Sequence, residues 1–127
     1  MSEKRNAEPR VLAVLPESQR TRELLFYLEQ QAFEVLYAHE GQSAYDILDA
    51  ESVDALIYAL REKRIDGLRV QQLAHARNSA ICAIAIAGPE DIEMGVEAMR
   101  QGAFDFQLQP LNFDKIGAVL ERGLSYQ

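Results

Sequence analysis

"VEAMRQGAFDFQLQP", residues 96–110, decides the fold. Its first half has helical spacing and ends at Gly102, "AFDFQL" (103–108) alternates apolar and polar residues, and Pro110 closes the stretch. A helix handing over to a short strand through a glycine is half of an α/β crossover. The alternation predicts Phe104, Phe106 and Leu108 on one side and Asp105 and Gln107 on the other, as in an edge strand with one wet face.

Upstream, "ICAIAIA" (81–87) is a short continuous apolar run stopped by Gly88-Pro89, so it reads as a strand buried on both faces. Between the two, a helix over about 89–101 places Ile92, Val96 and Met99 on one stripe, and Pro89 suits its first turn because that N–H has no helical partner. Downstream, Asn112 can cap a last helix in which Phe113, Ile116, Val119 and Leu120 point inward. The same alternation runs back through the chain. "VLAVL" (11–15) and "DALIYAL" (54–60) read as buried strands, and "FEVLYA" (33–38) as a strand nearer an edge. A helix capped by Ser18 carries Leu24, Leu25, Leu28 and Ala32. A second carries Ala44, Ile47 and Leu48, and a third, after Asp66-Gly67, uses Leu68, Leu73 and Ala74 or their neighbours. Five β–α units imply right-handed crossovers and a parallel sheet covered on both sides. With the first, third and fourth strands the most apolar, the expected fold is flavodoxin-like: a three-layer α/β/α sandwich with strand order 2-1-3-4-5 and five helices.

Bulk properties narrow the function. At 127 residues, 48% hydrophobic and 26% charged, the chain can bury one domain core and is not of disordered composition. No apolar run approaches the ~20 residues of a membrane span. Residues 1–9 are polar and expected as a flexible lead-in, 10–124 as the domain, and 125–127 as its end or the start of a linker. The lone Cys82 excludes an intrachain disulfide and, inside an apolar run, reads as a buried inert thiol; the compartment is most simply the cytosol. A net charge of −7 repels phosphate backbones, so proteins rather than nucleic acids are the expected partners.

The stretch 96–110 resembles the fourth helix and fifth strand of bacterial response-regulator receiver domains, and the resemblance runs from about Arg10 to Leu124. The tail "GAFDF" followed by "ERGL" is most similar to receivers attached to AAA+ enhancer-binding transcription regulators. The resemblance implies an acidic pair after strand one, a phosphoacceptor aspartate after strand three, a hydroxyl after strand four and a lysine-proline pair after strand five. At those positions stand Leu15 and Pro16 (with Glu17 beside them), Ala59, Ala87, and Gln109 with Pro110. The aromatic switch position keeps Phe106, and the third loop keeps Asp66, Gly67 and Leu68.

Phosphoryl transfer needs a nucleophilic carboxylate, a hard cation held by oxygens, and donors for the phosphoryl oxygens. Ala59 has no carboxylate, Glu17 alone is a poor Mg²⁺ site, and Gln109 and Ala87 supply neither cation nor hydroxyl. The losses fit together as packing, because two carboxylates at about 4 Å repel by about 4 kcal/mol at an effective dielectric of 20. The expected site is uncharged and partly collapsed, without metal or cofactor.

Other candidates are weaker. Asp54 is expected at the opposite rim of the sheet and Asp66 as a turn residue. His39 and His75 have no ligand-spaced partner, and no glycine-rich phosphate loop or catalytic triad is present. "REKR" (61–64) reads as a solvated loop, with an anion or partner contact as the sharper alternative. Gly95, mid-helix, has two open readings: a softened fourth helix or close packing against a bulky neighbour. The expectation is a non-enzymatic pseudo-receiver that works by protein–protein contact, on an attached output domain or by pairing with itself through the 89–124 face. Glu90, Glu93, Glu97, Arg100, Asp105, Lys115 and Arg122 would form that face's charged rim. The alternatives are a phosphorylation switch using a substitute acid and a small-ligand sensor whose remodelled pocket is lined by Leu15, Ala59, Ala87 and Gln109.

Overall fold

The computed structural model describes residues 8–125. Strands β1 (Arg10–Val14), β2 (Glu34–Ala38), β3 (Ala55–Ala59), β4 (Cys82–Ala87) and β5 (Asp105–Leu108) alternate with helices α1 (Gln19–Gln30), α2 (Gly41–Ala50), α3 (Gly67–Arg77), α4 (Ile92–Arg100) and α5 (Phe113–Leu124). The strands form one parallel sheet in the order β2-β1-β3-β4-β5, the expected flavodoxin-like order. β3 and β4 are buried along their whole length and supply the centre of the core. β2 is an edge, with Glu34 in water and Val35, Leu36 and Tyr37 half-buried. Helices cover both faces: α1 meets α5 through Tyr27 and Phe113, whose ring centroids lie 5.5 Å apart, while α2, α3 and α4 line the other face.

The predicted caps are in place. Ser18 Oγ accepts from the Thr21 N–H at 3.0 Å and Asn112 Oδ1 from the Lys115 N–H at 3.0 Å, each satisfying an orphan donor of a first turn. Asp66 does the same for α3, accepting from the Arg69 N–H. Residues 1–7 of the expected lead-in, and 126–127, lie outside the described residues; Pro9 already accepts from the Glu34 N–H at 2.9 Å.

The expected facing of α4 and β5 needs correction. Phe104 and Phe106 do not share a side. Phe104 precedes the strand proper and lies against α5, close to Gly123 and beneath the Arg122 guanidinium, whereas Phe106 lies under α4. Gln107, placed on the wet face by simple alternation, is buried and donates to Asp105 Oδ2 at 3.1 Å, while Leu108 is exposed. The stripe of Ile92, Val96 and Met99 exists but faces solvent; α4 turns Gly95 and Ala98 to the sheet instead. The cause is close approach. A Cβ at position 95 would sit 2.3 Å from the Phe106 ring, so the packing reading of Gly95 is the one observed. The loop 61–64 is also more ordered than a plain solvated loop. Arg61–Glu62 and Ile65–Asp66 form a small antiparallel hairpin with Arg64 at φ 67°, although residues 61–64 all remain exposed.

Candidate functional site

In a parallel sheet of this order, ligands collect beyond the carboxyl ends of the strands. Four segments meet there: the β1–α1 loop, the end of β3, the end of β4 and the β5–α5 loop.

The β1–α1 loop is tied back on itself. Leu15 is buried, its N–H donates to Ala38 O at 3.2 Å, and its carbonyl accepts from the Tyr37 hydroxyl at 2.9 Å. The Pro16 carbonyl accepts from Thr21 Oγ1 at 2.9 Å. Both of these loop carbonyls are therefore bonded by side chains of the fold. Burial, and secondarily the charge of Glu17, pushes the Tyr37 hydroxyl above its usual range, so it remains a donor at neutral pH. Glu17 itself is exposed and lies 3.9 Å from Arg22.

Ala59 and Ala87 end their strands 2% and 3% exposed, with no polar side-chain atom. The ends of β3, β4 and β5 are closed by main-chain bonds, Leu60 N–H to Ile86 O and Gln109 N–H to Ala87 O, both 2.9 Å. Gln109 is exposed and joined to Pro110 by a cis peptide. Gly67 is forced by the packing at this corner, because a Cβ there would lie 2.3 Å from Ala59 O and 2.5 Å from Leu60 Cα.

A divalent cation does not fit these residues. Mg²⁺ takes near-octahedral oxygen ligands, and the positions facing the rim offer Leu15, Pro16 and Ala59. Among the described residues no three His, Cys, Asp or Glu side chains stand close enough to hold a metal ion. A shallow concavity of about 410 Å³ is open beside the rim, walled by Leu15, Pro16, Ile86, Pro110 and Leu111, with Arg20 at its edge. Of the four residues expected to line a pocket, Leu15 and Gln109 border this concavity and Ala59 and Ala87 do not.

Asp54 and Asp66 both have structural work. Asp54 Oδ2 accepts from the Arg10 N–H at 2.8 Å at the amino-terminal rim of the sheet, and Asp66 caps α3. His39 and His75 lie outside any metal-ligating group of the described residues. Of the loop cations, Arg61 pairs with Asp91, through Nε at 3.0 Å and Nη2 at 2.8 Å, and Arg64 lies 3.6 Å from Glu40. The Asp91 carboxylate holds the Arg61 guanidinium above its usual range.

The second feature is the surface of α4 and β5. Ile92, Val96, Met99 and Leu108 are 43–47% exposed. The predicted rim residues are spread around it: Glu90, Glu93 and Arg100 in solvent on the α4 side, Glu97 bonded to Gln101 and Arg100, and Asp105 half-buried on β5. Lys115 and Arg122 are exposed on α5, the latter 5.7 Å above the Phe104 ring.

A buried polar relay escaped the sequence reading. The Tyr58 hydroxyl donates to Gln71 Oε1, and Gln71 Nε2 donates to the Ala98 carbonyl at 2.9 Å. Both side chains are fully buried. Burial drives the Tyr58 hydroxyl well above its usual range, so it is a donor at every accessible pH.

The profile of the response regulator receiver domain matches residues 15–121. The chain is 29% identical over 94 residues to the transcriptional regulatory protein ZraR of Escherichia coli K12, covering 74% of this chain and 21% of that protein. It is 26% identical over 118 residues to the regulatory protein AtoC of the same organism, covering 93% of this chain and 26% of AtoC. This chain thus spans about a fifth to a quarter of the length of those two regulators. The fold superposes on a response regulator receiver domain from Clostridium thermocellum with a TM-score of 0.85 at 20% identity, covering 93% and 95% of the two chains.

Proposed function

The chain belongs to the response-regulator receiver family, and from that premise we propose that it is a pseudo-receiver: a signalling module that acts by protein contact and is not switched by phosphorylation. The observation that carries this reading is the carboxyl rim of the sheet. Where the chemistry needs a nucleophile, Ala59 is a buried methyl group; where it needs acids, Leu15 is buried and the Leu15 and Pro16 carbonyls are already bonded. Each single loss could be repaired by a neighbour. The nearby acids are committed elsewhere, Asp54 at the opposite rim and Asp66 as a cap. Glu17 points into solvent near Arg22.

What the module offers a partner is the α4–β5 surface, an apolar stripe of Ile92, Val96, Met99 and Leu108 bordered by Glu90, Glu93, Glu97, Arg100 and Asp105, with Lys115 and Arg122 on the adjoining α5. An exposed apolar patch with a charged border suits a protein contact, with the charges giving orientation more than affinity. Its partner is an output segment of the same protein, as befits relatives that are transcriptional regulators several times longer, or a second copy. The net charge of −7 argues against direct nucleic-acid binding by this domain. We take the module as residues 10–124, a choice supported by the first and last regular elements, Arg10–Val14 and Phe113–Leu124. The concavity beside Leu15 supports a second reading, a small-ligand sensor, and a ligand screen followed by thermal shift addresses it.

The deciding experiment exposes the protein to acetyl phosphate, and separately to beryllofluoride, with Mg²⁺. The expected result is no gain of mass and an unchanged amide NMR spectrum. A phosphoryl adduct on any carboxylate, or shifts spreading through α4 and β5, would overturn the reading.

A further inference from the structure

Two polar side chains within two residues of the acceptor position, Tyr58 and Arg61, are both linked to α4. Tyr58 does so from below through Gln71, and Arg61 from above through Asp91, which stands at the N-cap of α4 with its carboxylate spent on the guanidinium. Their bonds fall at opposite ends of the helix.

The lower tie is the stronger. A helix leaves its last carbonyls without intrahelical donors, and a buried one must find a partner. The Ala98 carbonyl finds two in the main chain that follows, and the fully buried Gln71 amide, which needs a partner of its own, adds a third bond to it. The carbonyl accepts from the Gln101 N–H at 3.2 Å and the Ala103 N–H at 3.0 Å, which start the turn into β5, and from Gln71 Nε2. A carbonyl cannot donate, so the amide of Gln71 has its nitrogen toward Ala98, and its oxygen is left facing Tyr58. The Tyr58 hydroxyl then has one useful direction, donation to that oxygen. The relay therefore has a fixed polarity from β3 through α3 to the junction of α4 and β5. Gln72 Nε2 adds a bond from α3 to Gln101 at 3.3 Å. The upper tie is half in solvent, since Arg61 is exposed while Asp91 is mostly covered, and it is the weaker of the two. Between them, the Phe106 ring fills the space left by Gly95, so the middle of the helix cannot settle elsewhere without opening a hole.

We propose that Tyr58–Gln71–Ala98 and Arg61–Asp91 clamp α4 to the end of β3, so that the α4–β5 surface is presented in one fixed position. The proposal deepens the reading of the chain as a contact module and rests on it. Residues bordering the acceptor position hold the partner surface still, where a switching domain would need it to have two positions. Tyr58 and Gln71 are positioning residues, since neither touches the surface they hold.

The test is amide hydrogen exchange on the whole protein with Tyr58→Phe, Gln71→Met and Arg61→Ala, alongside NMR relaxation dispersion on the unaltered protein. The expected result is no millisecond exchange in α4 of the unaltered protein. Tyr58→Phe and Gln71→Met should each speed exchange of the 99–103 amides by roughly tenfold or more, while the β1 and β4 amides hold their protection. Arg61→Ala should loosen only the first turn of α4. Protection lost equally across the domain, no change at 99–103 in either relay variant, or two exchanging α4 states in the unaltered protein would each overturn the clamp. Gln71→Met keeps the relay testable if the tyrosine variant folds poorly. No phosphoryl donor is present in this experiment, so a failed clamp leaves the phosphorylation result standing, and the converse holds.

Discussion

Ala59→Asp places a carboxylate at a rim that offers no other acid beside it, and its cost measures how closed the rim is. Ala59 is 2% exposed, between Leu15 and Ala87 at 3% each. A carboxylate there leaves water without gaining a cation. Desolvation raises a buried acid's pKa by up to 3–5 units. Because position 59 ends its strand, about 2–3 units is the working expectation, and at 1.36 kcal/mol per unit that is roughly 3–4 kcal/mol near neutral pH. The folded domain would then hold its proton more tightly than the unfolded chain. Between the unfolded value near ~3.9 and the raised folded value, the native state binds more protons, so stability falls as pH rises and is recovered on acidification. Ala59→Asn brings nearly the same bulk with no charge and separates crowding, expected at about 1–3 kcal/mol, from ionisation. The assay is urea unfolding of both variants from about pH 4 to about pH 7.5, where the gap between them should open with pH. Adding Gln109→Lys to the aspartate variant should narrow the gap by supplying a counter-charge. Equal stability of the two variants at neutral pH, or a rise in the aspartate variant's stability with millimolar Mg²⁺, would refute the claim that the site is closed and uncharged.

Two further outcomes follow from the packing. Gly95→Ala gains up to about 1 kcal/mol of helix propensity but drives a methyl to 2.3 Å from the Phe106 ring, so the net effect should be a loss of about 1–2 kcal/mol, reversed in the Gly95→Ala, Phe106→Leu double variant; a stabilised single variant would show that the ring gives way freely. Cys82 is buried, and desolvation pushes its thiol up to about 11, so it should be silent to thiol reagents at neutral pH except through unfolding; with the folded value raised above the usual one, its contribution to stability is intact below about pH 9 and declines as pH climbs toward the folded value. Stopped-flow labelling checks this, and labelling faster than unfolding would contradict it.

The strands were legible because β1, β3 and β4 are buried on both faces and so are written as unbroken apolar runs, and two caps because Ser18 and Asn112 stand just before periodic segments, whereas Asp66, read as a turn residue, caps α3. Strand β5 was legible as a strand but not in its facing. Phe104 belongs to the bend that precedes it, where alternation does not apply, and Gln107 is buried because Asp105 on the same face gives it a partner. In α4 the larger residues were taken as a single stripe, yet the stripe that packs is the small one, Gly95 and Ala98. The useful signal was the glycine. Where a helix lies close enough to a strand for an aromatic ring to fill the gap, the residues with no side chain face inward. The Tyr58–Gln71 relay was not legible. A tyrosine in an apolar run and a glutamine in a helix have no characteristic spacing, and only the fold brings them together.

The candidate rim was proposed from positions alone, and the geometry shows how its neutral residues suit one another. A lone aspartate at 59 would be a stranded charge, and an acidic pair without a cation would repel itself. The neutral rim is therefore self-consistent. The polar side chains around it fit this arrangement. Tyr37 and Thr21 bond the loop carbonyls, and Arg61, two residues past the acceptor position, bonds Asp91. The donors of this rim are committed to its own backbone and to Asp91 at the start of α4. The exposed stripe of Ile92, Val96 and Met99 lies on the helix that Arg61 meets through Asp91.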